Sequence, residues 1–182
     1  VFAATIDGGY DQDAYVGVAL EDQGKLLDAI DYQKQRWYSY PNSDNVNSAW
    51  FAMAQNLYDQ ADKANALTPR DGSPNKKMTT KEVYREAIDM MEEFITINPE
   101  HPSAAEASYT IGNALFALHA YADVATHAAK CEQRYPKSEL LNSFRYMQAL
   151  GCFWQRKYDE AIKAAAVVAQ GNSNDKDLAT FI

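Results

Sequence analysis

The sequence predicts an all-α protein built as a solenoid of stacked helix pairs. Tyr84, Tyr121 and Tyr158 follow one another at intervals of 37 residues, and Pro99 and Pro136 are separated by the same interval. A fixed spacing of this size is typical of arrays that repeat one supersecondary unit, rather than of a single closed core. We therefore interpret the three tyrosines as rings that pack between neighbouring repeats.

The composition is that of a folded, acidic protein. Hydrophobic residues make up 47% of the 182 residues and charged residues 23%, a balance that argues against disorder. The net charge of −8 makes nucleic acids and anionic lipid surfaces poor partners. No apolar run approaches the ~20 residues of a membrane-spanning helix. We therefore expect a protein or peptide partner. Because residue 1 is Val rather than Met, we also expect the chain to be a processed form or a piece of a longer protein.

Turn signals divide the chain into four repeats. We expect an N-terminal extension at 1–9, repeats at 10–43, 44–102, 103–138 and 139–173, and the start of a further helix at 174–182. The second repeat is about 21 residues longer than the period allows. A polar run with two prolines and a glycine therefore predicts an exposed inserted loop at about 62–79.

Three helix starts are predicted from capping residues. Thr79 with Glu82, and Ser103 with Glu106, have the spacing of a capping box, in which two side chains bond to each other's backbone N–H groups. Ser43 follows a proline and can cap the helix of the second repeat.

The stretch from Ala105 to Tyr121 resembles the first helix and turn of a tetratricopeptide repeat (TPR). That family places a Gly or Ala at its eighth position, an aromatic residue at its seventeenth and a Pro at its thirty-second, which Gly112, Tyr121 and Pro136 match. The pattern recurs in four units over about residues 10–173. The resemblance implies a right-handed, TPR-like superhelix of antiparallel helix pairs.

A finer resemblance comes from the lengthened period and from two short motifs, Tyr-Pro-Asn-Ser at 40–43 and Tyr-Pro-Lys-Ser at 135–138. They are similar in style to TPR proteins of the bacterial envelope, such as the lipoprotein of outer-membrane barrel assembly and the Tol-Pal-associated periplasmic protein. This resemblance implies a periplasmic or cell-envelope location in a bacterium, with a cytoplasmic location left open.

The sequence predicts neither an enzyme nor a metal or cofactor site. No Cys-His or Ser-His-Asp arrangement can be argued from His101, His119 and His127. Cys131 and Cys152 fit no zinc pattern, and we interpret them as small buried residues, with a bridge between neighbouring repeats as the alternative.

The resemblance also implies a partner-binding groove, because first-helix positions of TPR repeats line the concave surface. The corresponding residues here are Phe51, Gln55, Tyr58, Tyr109, Asn113, Phe116, Tyr146, Phe153 and Trp154. These side chains are mostly aromatic, and they lack the lysines with which family members hold a terminal carboxylate. We therefore expect the groove to bind an apolar segment or helix. The alternative is that the rings pack on a segment of this same protein.

Together the sequence features and the resemblance predict a non-enzymatic protein-protein interaction scaffold within a bacterial envelope or another large assembly, where it would be a subunit of a larger complex. Two alternatives stay open. One is a peptide-binding adaptor for short extended segments, and the other is a TPR module of a larger enzyme whose catalytic domain lies outside this sequence.

Overall fold

The computed structural model describes residues 25–40, 42–67 and 77–170. In these ranges all regular secondary structure is helical, so the predicted all-α fold class is confirmed. The α-helices are α1 (Leu26–Ser39), α2 (Asp44–Asp59), α3 (Thr80–Ile97), α4 (Ala104–Ala117), α5 (Tyr121–Arg134), α6 (Leu141–Trp154) and α7 (Tyr158–Gln170). The predicted extension at 1–9, the first helix of the first repeat and the further helix at 174–182 lie outside the described residues.

The chain divides into two compact units, Val1–Glu86 and Ala87–Ile182, with the boundary inside α3. In the first unit α1 packs against α2. Trp37 and Trp50 are buried and stack with their ring centroids 5.0 Å apart. The indole N–H of Trp37 donates to the side-chain oxygen of Asn47 at 2.7 Å, so the polar edge of this buried ring is satisfied.

The segment after α2 is more closely anchored than the sequence indicates. A short 3₁₀ helix, Ala61–Ala66, follows α2 directly. The backbone N–H of Met78 donates to the carbonyl of Leu67 at 3.1 Å, and both side chains are buried. The prediction of an exposed loop over 62–79 is therefore wrong at Leu67 and Met78, because the apolar side chains of both residues are buried. Residues 68–76 lie outside the described residues.

The helix start at Thr80 follows the predicted capping box. The backbone N–H of Thr79 donates to the Glu82 carboxylate at 2.8 Å, and the N–H of Glu82 donates to the Thr79 hydroxyl at 3.2 Å. Two of the N–H groups that the first turn of a helix leaves unpaired are satisfied in this way.

The caps predicted for the other two helices are wrong. Neither Ser43 before α2 nor Ser103 before α4 makes a side-chain capping bond. Ser103 has φ −81° and ψ 1° rather than the extended backbone of a capping residue. Its N–H donates to Nδ1 of His101 at 3.1 Å, where a capping box would use Glu106.

In the second unit the 37-residue period of the sequence is also a period of backbone conformation. His119 ends α4 with φ 59°, and Arg156 ends α6 with φ 63°. The residue after each of these closes the last helical turn with the same kind of hydrogen bond. The backbone N–H of Ala120 donates to the carbonyl oxygen of Leu115 at 3.0 Å, and that of Lys157 donates to the carbonyl oxygen of Cys152 at 3.0 Å. This left-handed termination lets the next helix begin at once and fold back as the second member of the pair. Helix α5 packs against α4 and α6, and α6 also packs against α7.

Candidate functional site

The predicted groove residues of the second unit lie on α4 and α6, and none of them belongs to the fully buried core. The residues on α4 are Tyr109, Asn113 and Phe116, and those on α6 are Tyr146, Phe153 and Trp154. Trp154 is 53% exposed and the other five are partly buried. Their degree of exposure therefore leaves side-chain surface that a partner could contact, most of all at Trp154.

Three of these residues join two tyrosines in a continuous chain of ring contacts. The Phe116 ring lies 5.4 Å from that of Tyr121, and Tyr121 stacks on Trp154 at 5.5 Å with the ring planes 16° apart. Phe153 contacts Trp154 at 5.9 Å and Tyr158 at 5.8 Å, both edge to face. We call these five residues the aromatic cluster. Tyr121 packs between repeats as predicted, whereas Tyr158 is 53% exposed, so its ring is also available at the surface.

The remaining rings of the predicted groove take part in internal packing. Tyr109 lies 6.3 Å from the buried ring of Phe144, and Tyr146 packs against a buried cluster that includes Ala149. Phe116 also packs against the buried cluster around Val124. The alternative that these rings pack on the same protein therefore holds in part for Tyr109, Phe116 and Tyr146, and Trp154 is the better residue for testing partner binding.

The predicted groove residues of the first unit lie along α2 and are partly buried. The amide of Gln55 donates to the Asp59 carboxylate at 3.3 Å, and the Tyr58 ring lies 5.4 Å from that of Tyr84. Phe51 lies one turn before Gln55 on the same helix. Gln55 and Tyr58 are thus partly engaged within this unit.

Asn113 differs from Gln55 because its side-chain amide makes no hydrogen bond with any residue in the described part of the chain. It is partly buried on α4, one turn before Phe116. A primary amide offers both a donor and an acceptor, which matches the peptide group of a bound backbone. Asn113 therefore has amide hydrogen-bonding groups that no described residue uses.

A polar cluster that sequence reasoning missed lies between α4 and α5. Nε2 of His127 is 2.7 Å from the backbone oxygen of Ser108 and 3.4 Å from the sulfur of Cys131. The Ser108 hydroxyl donates to the backbone oxygen of Ala104 at 2.9 Å and lies 3.2 Å from the Tyr135 hydroxyl. The sequence analysis did not pair Cys131 with His127, and their four-residue spacing on one helix is the signal that could have found this contact.

The chemistry of this cluster is that of a packed, neutral site. Burial raises the pKa of the Cys131 thiol to about 11, so the thiol stays protonated at neutral pH and is a poor nucleophile. Burial also lowers the pKa of His127, against the opposing effects of the Ser108 carbonyl and of Glu92. Cys131 and Cys152 are both buried free thiols, so their interpretation as small buried residues is confirmed, and no bridge joins them.

The lowered pKa of His127 predicts a loss of stability in acid. An unfolded histidine has a pKa of about 6.5, so below that pH the unfolded chain binds a proton that the folded protein binds less readily. The free energy of unfolding should therefore be highest above about pH 6.5 and fall as the pH drops toward the lowered pKa of the folded state. Chemical denaturation across this range measures the effect. His127→Gln, which keeps a donor for the Ser108 carbonyl, should flatten the dependence; an unchanged slope would contradict the assignment.

A cleft of about 320 Å³ lies elsewhere in the second unit, between α5, α6 and α7. It is lined by Glu132, Arg145, Gln148, Cys152, Glu160, Lys163, Ala164 and Val167. Arg145 donates to Glu132 at 2.7 Å, so these two charges largely neutralise each other. None of the predicted groove residues lines this cleft, which makes Val167 a suitable control position for the aromatic cluster.

The described residues hold no group of three or more His, Cys, Asp and Glu side chains placed to bind a metal ion. Among the helices in this part of the chain, none combines the length and the apolar character needed to cross a membrane.

The architecture is that of TPR-like helical repeats. MamA from Desulfovibrio magneticus RS-1, from residue 41 to its end, matches with a TM-score of 0.54 and 14% identity over 87% of this chain and 73% of that chain. The TPR-like repeats of a kinesin light chain from Podosopora anserina match with a TM-score of 0.52 and 11% identity, over 87% of this chain and 72% of theirs. No protein-family model and no curated protein matches the sequence. At these identities the likeness shows the fold alone, and the finer resemblance to envelope proteins stays a prediction.

Proposed function

We propose that this protein is a non-enzymatic interaction scaffold that binds a protein or peptide through the aromatic cluster of the second unit. The observation that carries the proposal is the partial exposure of the Trp154 ring. Its ring is stacked on Tyr121 and touches Phe153, yet about half of its surface is exposed. Tryptophan in a rigid aromatic setting provides large contact area at little cost in side-chain entropy, and such residues dominate the affinity of many interfaces.

The chemistry of the surface indicates what kind of partner it binds. None of the nine predicted groove residues carries a charge. An uncharged aromatic surface favours an apolar segment or helix, and the free amide of Asn113 can bond to a backbone peptide group of that segment. Phe51, Gln55 and Tyr58 stay predicted groove residues of the first unit. The proposal also places the protein in a bacterial envelope or another large assembly, and this part of it rests on the sequence motifs alone.

A peptide selection tests this proposal without knowledge of the natural partner. Random peptides displayed on phage would be selected on the full chain, and the enriched sequences synthesised. We expect apolar or aromatic peptides with no requirement for a free C-terminal carboxylate. Trp154→Ala should weaken their binding at least about tenfold, the effect of losing one well-packed interface residue. Asn113→Ala should weaken binding less, by the equivalent of one hydrogen bond.

Val167→Ala is the matched control, because it also removes an exposed apolar side chain of the second unit but lies on the cleft rather than in the aromatic cluster. It should leave the affinity unchanged. Peptides that bind the wild-type protein and the Trp154→Ala variant equally well, with both proteins folded, would show that the partner surface lies elsewhere.

A further inference from the structure

Gln155 connects the end of α6 to the start of α5. It follows Trp154 directly, and its side-chain amide nitrogen donates to the carbonyl oxygen of Tyr121 at 3.1 Å and to that of Gly151 at 3.0 Å. A primary amide nitrogen carries two hydrogens, so one side chain can make both bonds at once. The amide of Gln155 therefore bonds the last turn of α6 to the first residue of α5.

The two helices are close enough at this point for one short side chain to join them. An added Cβ at Gly151 would lie 3.0 Å from the carbonyl oxygen of Tyr121, which is the oxygen that the Gln155 amide binds. The close approach of the glycine and the bond from the glutamine thus fix the same point of α5 against the end of α6.

Tyr121 is held at its backbone, its ring and its hydroxyl group. The carbonyl oxygen accepts the bond from Gln155, and the ring stacks on that of Trp154 at 5.5 Å with the planes 16° apart. The hydroxyl lies 2.7 Å from Nδ1 of His119. A tyrosine ring that is fixed at both ends provides one orientation in which the indole can stack.

The repeat period shows that the glutamine is not needed for the turn itself. The residues 37 positions before Trp154 and Gln155 are Ala117 and Leu118, which have neither an indole nor an amide. The same left-handed turn ends the first helix in both repeats. The amide is therefore an addition in the repeat that also carries the half-exposed indole.

We propose that Gln155 is a positioning residue, which fixes the Trp154 ring in the orientation in which a partner binds it. This inference rests on the proposed function. Trp154 lies between Gly151 and Gln155, both of which contact Tyr121, and its ring stacks on Tyr121 as well. An indole that is ordered before the partner arrives loses little rotamer freedom on binding, which strengthens the affinity.

Loss of the amide should leave the protein folded. The carbonyl of Gly151 also accepts the backbone N–H of Gln155 at 3.3 Å, and the carbonyl of Tyr121 lies in the first turn of α5, so neither oxygen is left unpaired. Gln155→Met removes both donors and keeps a side chain of similar length. Gln148→Met is the matched control, because Gln148 is partly buried on the same helix and its amide bonds to no residue that the structure describes.

Fluorine NMR of the full chain labelled with fluorotryptophan tests the position of the ring without any partner. The chain has three tryptophans, and Trp154→Phe assigns the signal of Trp154. We expect one narrow Trp154 signal in the wild type and in Gln148→Met, and a shifted, broadened or split signal in Gln155→Met. The signals of the buried Trp37 and Trp50 should stay in place and show that the fold is kept. A Trp154 signal that Gln155→Met leaves unchanged, or equal changes at all three tryptophans, would overturn the proposal.

The peptides selected on the wild-type chain test the consequence for binding. Gln155→Met should weaken the peptides that Trp154→Ala weakens by about two- to tenfold, the cost of ordering one large side chain on binding, and Gln148→Met should not. An affinity that Gln155→Met leaves unchanged, although it alters the Trp154 signal, would also overturn the proposal. If Trp154→Ala itself has no effect on binding, the proposed function fails, and the fluorine signals still decide whether Gln155 positions the ring.

Discussion

Phe144→Ala is expected to reduce the free energy of unfolding by about 3–5 kcal/mol, the usual cost of removing a fully buried phenylalanine ring. Phe144 is completely buried on α6, and its ring lies 6.3 Å from that of Tyr109 and 6.1 Å from that of Tyr135. These contacts join α6 to α4 and to the end of α5. Because the total stability of a domain is only about 5–15 kcal/mol, the variant should be close to unfolded at 37 °C.

Phe153→Ala on the same helix is the matched comparison. It removes the same side chain from a partly buried position in the aromatic cluster, where, among the aromatic residues that the structure describes, the ring contacts only Trp154 and Tyr158. Its cost should be well below that of Phe144→Ala, since less apolar surface is lost from the core. Guanidinium denaturation followed by circular dichroism measures both. Equal losses for the two variants would show that Phe153 belongs to the core and is not available to a partner.

The repeat architecture could be predicted because similar residues recur along the sequence at a fixed period. The 37-residue spacing of the tyrosines coincides with the spacing of the left-handed residues His119 and Arg156 that end the first helices of their pairs. Glycine is the usual residue for that conformation and neither turn has one, so the turn could not be predicted from a glycine signal. The period located it nevertheless, because neighbouring repeats that pack in the same way need the same turn.

Side-chain contacts were harder to predict, because spacing alone does not determine them. The pairs Thr79-Glu82 and Ser103-Glu106 have the same spacing, yet only the first forms a capping box. At the second, the ring of His101 takes the N–H that the carboxylate would have accepted. A competing side chain two residues away decides the outcome, and it lies outside the motif.

In the candidate site too, the sequence predicted the helix positions of the residues but not their side-chain contacts. The TPR pattern placed Tyr109 and Trp154 on the same kind of surface, since both occupy groove positions of a first helix. In the structure Tyr109 packs near Phe144, whereas Trp154 is half exposed. The difference depends on which residue of the neighbouring helix lies opposite each ring. That information is distributed over two repeats and is not contained in either motif.

The difference between α5 and α7 also depends on a neighbour. Tyr121 and Tyr158 hold equivalent positions in sequence, but α6 covers the first through Trp154. In the described part of the chain no indole is stacked on Tyr158 in the same way, and Tyr158 is 53% exposed.

Gly151→Ala is expected to destabilise the second unit by about 1–2 kcal/mol, with the strain of overpacking exceeding the gain in helix propensity. An added Cβ would lie 2.8 Å from the backbone nitrogen of Ala125 and 3.0 Å from the backbone oxygen of Tyr121. Backbone atoms cannot move independently of their helix, so α5 and α6 would have to separate. That movement would also disturb the stacking of Trp154 on Tyr121.

Gly112→Ala provides the comparison that isolates this cause. An added Cβ there would clash with the sulfur of Met147, at a shorter distance than any contact at Gly151. The atom in the way is the end of a flexible side chain, which can rotate aside, and alanine gains up to about 1 kcal/mol of helix propensity over glycine. Gly112→Ala should therefore be nearly neutral in the same denaturation experiment. If it costs as much as Gly151→Ala, the close approach of the α5 and α6 backbones is not what requires glycine at position 151.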